Sequence, residues 1–421
     1  MAILSPSNGG TVYSRFLKEI LFRRLKFFPV VLLVGPRQSG KTTLTKQLGH
    51  KLGLDYASFD DINNLIGVQL DPIGYLNNLN KPLILDEVQR APEIFLPIKA
   101  DVDKHRHSGR YILTGSANPL LVPKVGDALT GRMAICNLWP LSQGEILGVR
   151  EKFLERLLTE KGWPKSFPDL DQEELINKLF IGGFPALQEA PSDGDRKAWC
   201  NNYLSLALQK DINDLSKVEA FAHLPALLYG LASRVGSTLN YEELSRLAKT
   251  ASTSIRRYTQ LLESLFLLYR LPAWSPNIDK QLTKSPKVHF SDTALLLHVL
   301  NLNKDQLKNT PNVLGHVVEN FIVMECVKQA TWHESSPKLF HYRSEKEKGT
   351  EVDVVVESEG KIAGIEIKLS SVIRSDDIRG LKALQDTAKK AFFKGVILYM
   401  GNRVLPLGEK ISAIPISAVW S

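Results

Sequence analysis

The sequence predicts an α/β protein: a parallel sheet covered by helices in the first third, a mainly helical middle, and a second, smaller α/β region at the end. Three observations carry this. From residue 30 short apolar runs alternate with helical or loop stretches, the pattern of parallel strands buried on both faces. Helical periodicity then dominates from about residue 145 to 310. Beyond about residue 313 comes one long helix, three strands, a helix over about Ser375–Lys390 and a strand at Gly395–Tyr399. These shifts divide the chain into residues 1–145, 146–310 and 311–421.

In the first segment, Phe16, Leu17, Ile20, Leu21 and Leu25 make residues 14–27 an amphipathic helix. The strands are expected at Val30–Val34, Tyr56–Phe59, Pro82–Leu85, Arg110–Leu113 and Met133–Leu138. The 421 residues suffice for two or three cores. No apolar run is long enough to span a bilayer, and the N-terminus lacks the pattern of a cleaved signal. Cys136, Cys200 and Cys326 follow no zinc or disulfide spacing, which points to a reducing, cytoplasmic setting without membrane contact. The net charge of +8 collects at the two ends, with the middle slightly acidic. A basic excess of this size fits a polyanion, but also an ordinary solvated surface.

Gly35, Pro36, Arg37, Gln38, Ser39, Gly40, Lys41 and Thr42, followed by Thr43, satisfy GxxxxGK[ST] at each position, between an apolar strand and a helix. This is the P-loop motif. Its glycines let successive N–H groups point at phosphate oxygens, and the helix N-terminus favours negative charge. Lys41 is expected on the β- and γ-phosphates and Thr42 on Mg²⁺. Pro82–Leu85 then delivers Asp86 and Glu87 to the carboxyl edge of the sheet, where such sheets bind ligands. Asp86 is expected to hold the magnesium and Glu87 to orient or deprotonate the attacking water.

The strand ending in Thr114, Gly115, Ser116, Ala117 and Asn118 is expected between the strands bearing the P-loop and Asp86. Ser116 or Thr114 at its tip would help place the water; both are equally natural as capping hydroxyls. Gly131-Arg132 opens the next strand, and Arg132 is a candidate finger for a neighbouring subunit's site, which would require a homo-oligomer. Arg37 competes with it as a phosphate contact.

In the middle segment, residues 220–235, 241–249 and 253–268 read as three helices before an extended Tyr269–Trp274, a winged-helix-like arrangement over about 220–275. Ile255, Tyr258, Leu262 and Leu265 form a core stripe, leaving Arg256, Arg257 and Gln260 for solvent or DNA. Packing against the ATPase part is the alternative role.

In the tail, a two-residue turn at Glu359-Gly360 sets Asp353 opposite Glu366, and Glu351 opposite Lys368. An Asp followed by Glu-x-Lys on the next strand resembles the PD-(D/E)XK nucleases. That resemblance implies Mg²⁺ on Asp353 and Glu366, Lys368 beside the water, and Glu319 on the preceding helix completing the acidic cluster, with His316 one turn away. Glu351–Lys368 pairing on a solvated face would need no metal, and Glu-Val-Asp replaces the usual Pro-Asp.

GPRQSGKTTL, SFDDINN, DPIGYL, LILDEVQRAP, YILTGS and LTGR, with IGGFPAL, RKAWCNNYLSLALQKDINDL and EVDVVVE…IAGIEIKLS, together resemble a large prokaryotic family of AAA-type ATPases. The resemblance covers nearly the whole chain. It implies an AAA+ (ASCE-type) P-loop sheet, a winged-helix-like middle and a nuclease-like α/β end, with ATP rather than GTP as nucleotide. The expected function is Mg²⁺-dependent ATP hydrolysis on or near nucleic acid. An ATP-regulated nuclease, or a slowly hydrolysing switch that binds another ligand, are the alternatives.

Overall fold

The computed structural model describes residues 11–116, 129–208, 223–345 and 349–421. Ala117 and Asn118, the start of the helix expected from residue 220, and the end of the motif that runs to Leu215 lie outside them. The chain folds into two compact units. The first is Ser14–Leu141 with Ser264–Phe266; the second comprises Ser142–Glu263 and Leu267–Ser421 with the stretch ending at Tyr13. The middle and tail segments thus pack within one unit.

The first unit is built on a five-stranded sheet of β1 (Val30–Val34), β2 (Asp55–Ser58), β3 (Leu83–Asp86), β4 (Tyr111–Gly115) and β5 (Met133–Asn137) in the order β2-β3-β4-β1-β5. All neighbours are parallel. As expected, β4 sits between the strand leading to the P-loop and the strand bearing Asp86. All five residues of β1 are buried, which is why its sequence, VVLLV, shows no alternation. Helix α1 (Leu17–Leu25) buries Leu17, Leu21 and Leu25, spaced one turn apart, in a core with Val31, Leu33, Leu44, Leu48, Ile84 and Ile112. Helix α2 (Lys41–Leu52) starts at Gly40, whose φ of 96° suits only glycine, and ends at Gly53.

The second unit contains a six-stranded mixed sheet in the order β12-β13-β11-β10-β9-β8. Its strands are β8 (Lys338–Arg343), β9 (Glu351–Ser358), β10 (Lys361–Ile367), β11 (Phe392–Tyr399), β12 (Leu405–Pro406) and β13 (Ile411–Pro415). β9 and β10 form an antiparallel hairpin, and β11 pairs in parallel with both β10 and β13. Helix Arg379–Ala388 packs Leu381 and Leu384 onto it; a side chain at Gly364 would lie 2.6 Å from Leu381. Helix Pro311–Trp332 is buried along most of its length, so it carries almost no amphipathic signature. β12 and β13 were not expected. They are short and lie among Pro406, Gly408 and Pro415, residues that read as turns.

In the middle segment, helices Leu224–Ala232, Tyr241–Ala248 and Ser252–Ser264 precede an antiparallel ribbon of β6 (Leu268–Leu271) and β7 (Lys287–Phe290). Ile255, Tyr258, Leu262 and Leu265 are buried. The Gly-Gly-Phe-Pro segment is a structural joint. The Asp292 carboxylate accepts the Gly183 N–H at 2.6 Å and caps helix Thr293–Val299. Phe184 packs against both Trp199 and Tyr203, with ring centroids 5.0 Å from each, and those two rings stack on one another at 4.9 Å. Among the described residues, no helix is long and apolar enough to cross a membrane.

Candidate functional site

The phosphate loop leaves the end of β1 and enters α2 at the carboxyl edge of the parallel sheet. Gly35 is held tightly: a Cβ there would fall 2.1 Å from the Leu138 carbonyl oxygen. Lys41 is buried, its ammonium donating to the carbonyls of Gly35 at 2.9 Å and Pro36 at 2.8 Å. The Ser39 hydroxyl is buried without a hydrogen-bond partner among the described residues, an orphaned donor inside an anion-binding loop. Arg15 was not anticipated. Its guanidinium is buried and donates to the Ser39 carbonyl at 2.6 Å and the Trp139 carbonyl at 2.7 Å, bracing the loop from behind.

Asp86 ends β3 and is buried. Its carboxylate accepts from the hydroxyls of Thr42 at 2.9 Å, Tyr56 at 2.7 Å and Thr114. Burial first, then the hydrogen bond to Asp86, push the Tyr56 phenol well above its ordinary value, so it stays a donor. Thr42 and Asp86 therefore stand side by side as an oxygen pair of the kind that holds Mg²⁺, and the residues fit that ion. Glu87 adopts left-handed φ/ψ (57°, 47°), and its N–H donates to Thr114 Oγ1 at 3.1 Å. Gln89 donates both to the Glu87 carboxylate and, at 2.9 Å, to Ser116 Oγ. Both strand-tip hydroxyls are thus engaged, Thr114 with Asp86 and Ser116 with the amide that holds Glu87.

Arg132 does not join this group. It directly precedes β5, and its carbonyl accepts from Val30 N at the start of β1. That is the opposite sheet edge, about 16 Å from the phosphate loop at the strand rise per residue. Its guanidinium pairs there with Asp103 of the same unit. Arg132 thus stands apart from this chain's own phosphate loop; the finger role expected of it concerns a neighbouring subunit's site.

In the second unit the hairpin register is as expected. Ser358 pairs with Lys361 and Val354 with Ile365, which continues to Asp353 against Glu366. Asp353, Glu366 and Glu319 are all buried, and Lys368 Nζ lies 2.7 Å from Glu366 Oε1. Over Asp353 and Glu319 this face is covered by Lys287 of β7, which is 2% exposed, while Glu351 at its end stays exposed. The Lys287 ammonium lies 2.8 Å from Glu319, 3.7 Å from Asp353 and 3.9 Å from Glu351. Asp353 also accepts the Ile367 N–H at 2.9 Å. Burial and the nearby Asp353 charge push both Glu319 and Glu366 above the usual carboxylate range. No group of three or more His, Cys, Asp or Glu side chains among the described residues is arranged to hold a metal. The acidic cluster that the resemblance implies has assembled, but it does not fit a divalent ion.

Arg256, Arg257 and Gln260 are exposed on helix Ser252–Ser264, and Arg256 lies 4.9 Å from the ring centroid of Tyr241.

Residues 28–147 match the model of a family described as AAA domain; residues 172–306 and 314–419 match two domains of unknown function, DUF8612 and DUF4143. Among solved structures, the Walker-type ATPase PABY2304 of Pyrococcus abyssi is similar at 14% identity, covering 69% of this chain and 96% of that one, with a TM-score of 0.44. The uncharacterized proteins Rv2008c of Mycobacterium tuberculosis and Mb2031c of Mycobacterium bovis each share 30% identity over 398 residues, 94% of this chain and 82% of theirs. With its P-loop sheet in the part that matches an AAA domain, and with similarity running through nearly all of its length, the chain belongs to the family of these two mycobacterial proteins.

Proposed function

We propose that this chain binds ATP with Mg²⁺ at Gly35–Thr42 and hydrolyses it. The observation that carries the reading is the meeting of Thr42 with Asp86 at 2.9 Å, beside a loop whose lysine is buried against its own carbonyls. Lys41 would exchange those carbonyls for phosphate oxygens, and the Ser39 hydroxyl would gain the acceptor it lacks. Arg37, inside the loop, is the nearest arginine in sequence for a further phosphate contact. Thr42 and Asp86 would hold Mg²⁺, which when bound neutralises phosphate charge. Glu87, with Gln89 and Ser116 behind it, would orient water and accept its proton. The AAA domain match over residues 28–147 supports the same assignment. Phosphate release from ATP by the purified chain tests it: turnover is expected with Mg²⁺ and lost in EDTA. Failure to bind or hydrolyse ATP with Mg²⁺ present overturns it.

A nucleic-acid partner is the second reading, supported by the exposed Arg246, Lys249, Arg256 and Arg257 on and between helices Tyr241–Ala248 and Ser252–Ser264. If these helices meet duplex DNA, the double variant Arg256→Ala/Arg257→Ala should weaken binding and lower the salt slope by about 2, roughly one per lost phosphate contact. Fluorescence anisotropy across a salt series measures both. Unchanged affinity and slope would remove this reading.

A further inference from the structure

We propose that Lys287 is a built-in cation of the acidic centre in the second unit, occupying the place of a divalent ion so that the centre takes up no metal. Three carboxylates, Glu319, Glu351 and Asp353, lie within 4 Å of its ammonium. They come from a helix and a strand far apart in sequence, and Lys287 comes from a third element, β7. The lysine is not a surface side chain folded over for want of company. It leaves a strand whose four residues are all buried, and the loop between helices Leu224–Ala232 and Tyr241–Ala248 comes up against the Glu319 carboxylate. Gly236, at φ 75°, leaves no room for a side chain, because a Cβ there would lie 2.7 Å from Glu319 Oε2. Its N–H is tied to the Val288 carbonyl at 3.0 Å.

The oxygens a metal would need are mostly committed. One oxygen of Asp353 accepts the Ile367 N–H and the other faces Lys287. Glu319 Oε1 takes Lys287, with His316 Nδ1 3.8 Å from Oε2. Glu366 Oε1 takes Lys368. Glu366 Oε2 is buried without a hydrogen-bond partner among the described residues, but an ion such as magnesium, which binds through one or two carboxylates and keeps several waters, would have to displace lysine ammonium groups from Glu319, Asp353 and Glu366. A dication entering here would also meet two ammonium groups in a buried setting, where screening is weak. The arrangement therefore uses nuclease-like acids to fasten the β6–β7 ribbon to the C-terminal sheet, and it removes the metal on which hydrolysis in such a centre depends.

Counting Mn²⁺ ions bound per nucleotide-free full-length chain, from the loss of the free-ion EPR signal, tests this. Wild type and Asp353→Asn are expected to bind the same number, because any ion at Asp86 is common to both. Lys287→Met, close in length but uncharged, is expected to bind one more ion than wild type. The double variant Lys287→Met/Asp353→Asn should return to the wild-type count. A wild-type ion that disappears in Asp353→Asn overturns the proposal, and this comparison needs no change at Lys287. So does a Lys287→Met protein with wild-type circular dichroism that gains no ion. Neither comparison depends on ATP turnover, so the proposed hydrolysis and this inference can fail separately.

Discussion

Glu87→Gln is expected to lower ATP turnover by about 10²–10⁴-fold, the range of a positioned general base, while ATP affinity stays close to wild type. The split follows from geometry. The residues expected on the phosphates and Mg²⁺ are those of the loop with Thr42 and Asp86, and Glu87 is bonded to none of them by its side chain. Its carboxylate is held instead by Gln89, which is held in turn by Ser116. Its main chain is anchored on Thr114, whose own hydroxyl is bonded to Asp86. Glu87 and Asp86, the residue proposed to hold Mg²⁺, are thus linked through one threonine, so their separation is set by folding rather than by the nucleotide. Glutamine keeps the shape and the partner but cannot accept a proton at neutral pH. Steady-state phosphate release combined with equilibrium binding of a fluorescent ATP analogue separates the two effects. Turnover at the wild-type rate would remove Glu87 from the chemistry. Loss of binding together with turnover would mean that it supports the loop instead.

The sequence already disclosed those parts of the molecule in which local pattern and tertiary role agree. β1 reads as a buried strand because both its faces are covered, and the P-loop follows because strand, glycines and helix start each demand specific residues. The β9–β10 register was legible for a similar reason. Glu359 and Gly360 both take positive φ, 50° and 76°, as a two-residue hairpin turn requires, and pairing then follows by counting. What escaped were side chains whose role depends on elements distant in sequence. Arg15 looks like one basic residue at the edge of an amphipathic helix, yet its guanidinium braces the loop 24 residues away. Tyr56 looks like a strand aromatic, and only the parallel pairing of β2 with β3 brings its hydroxyl to Asp86. Lys287 is the sharpest case. A lysine is almost never fully buried unless paired, so Lys-Val-His-Phe did not read as a buried strand. Its three carboxylate partners lie 32 or more residues further on.

Lys41→Ala should abolish nucleotide binding at concentrations where wild type is saturated. Each hydrogen bond between a charged group and its partner contributes about 1.5–3 kcal/mol, so losing the ammonium from two phosphates weakens ATP by roughly 10²–10⁴-fold. The structure adds a reason for the effect to be on binding rather than on folding. In the loop as it stands, Lys41 Nζ serves the carbonyls of Gly35 and Pro36, while the loop's position is maintained independently by Arg15 on Ser39 and by the close approach of Gly35 to Leu138. Lys41→Ala should therefore melt near the wild-type temperature without nucleotide but lose the upward shift expected of wild type with Mg²⁺ and ATP. Arg15→Ala should do the reverse, lowering the melting temperature before any nucleotide is added. Thermal unfolding of both variants with and without Mg²⁺ and ATP distinguishes the ligand's cation from the loop's brace. If Lys41→Ala keeps the full nucleotide-induced shift, the phosphates are bound elsewhere and the assignment of this loop fails.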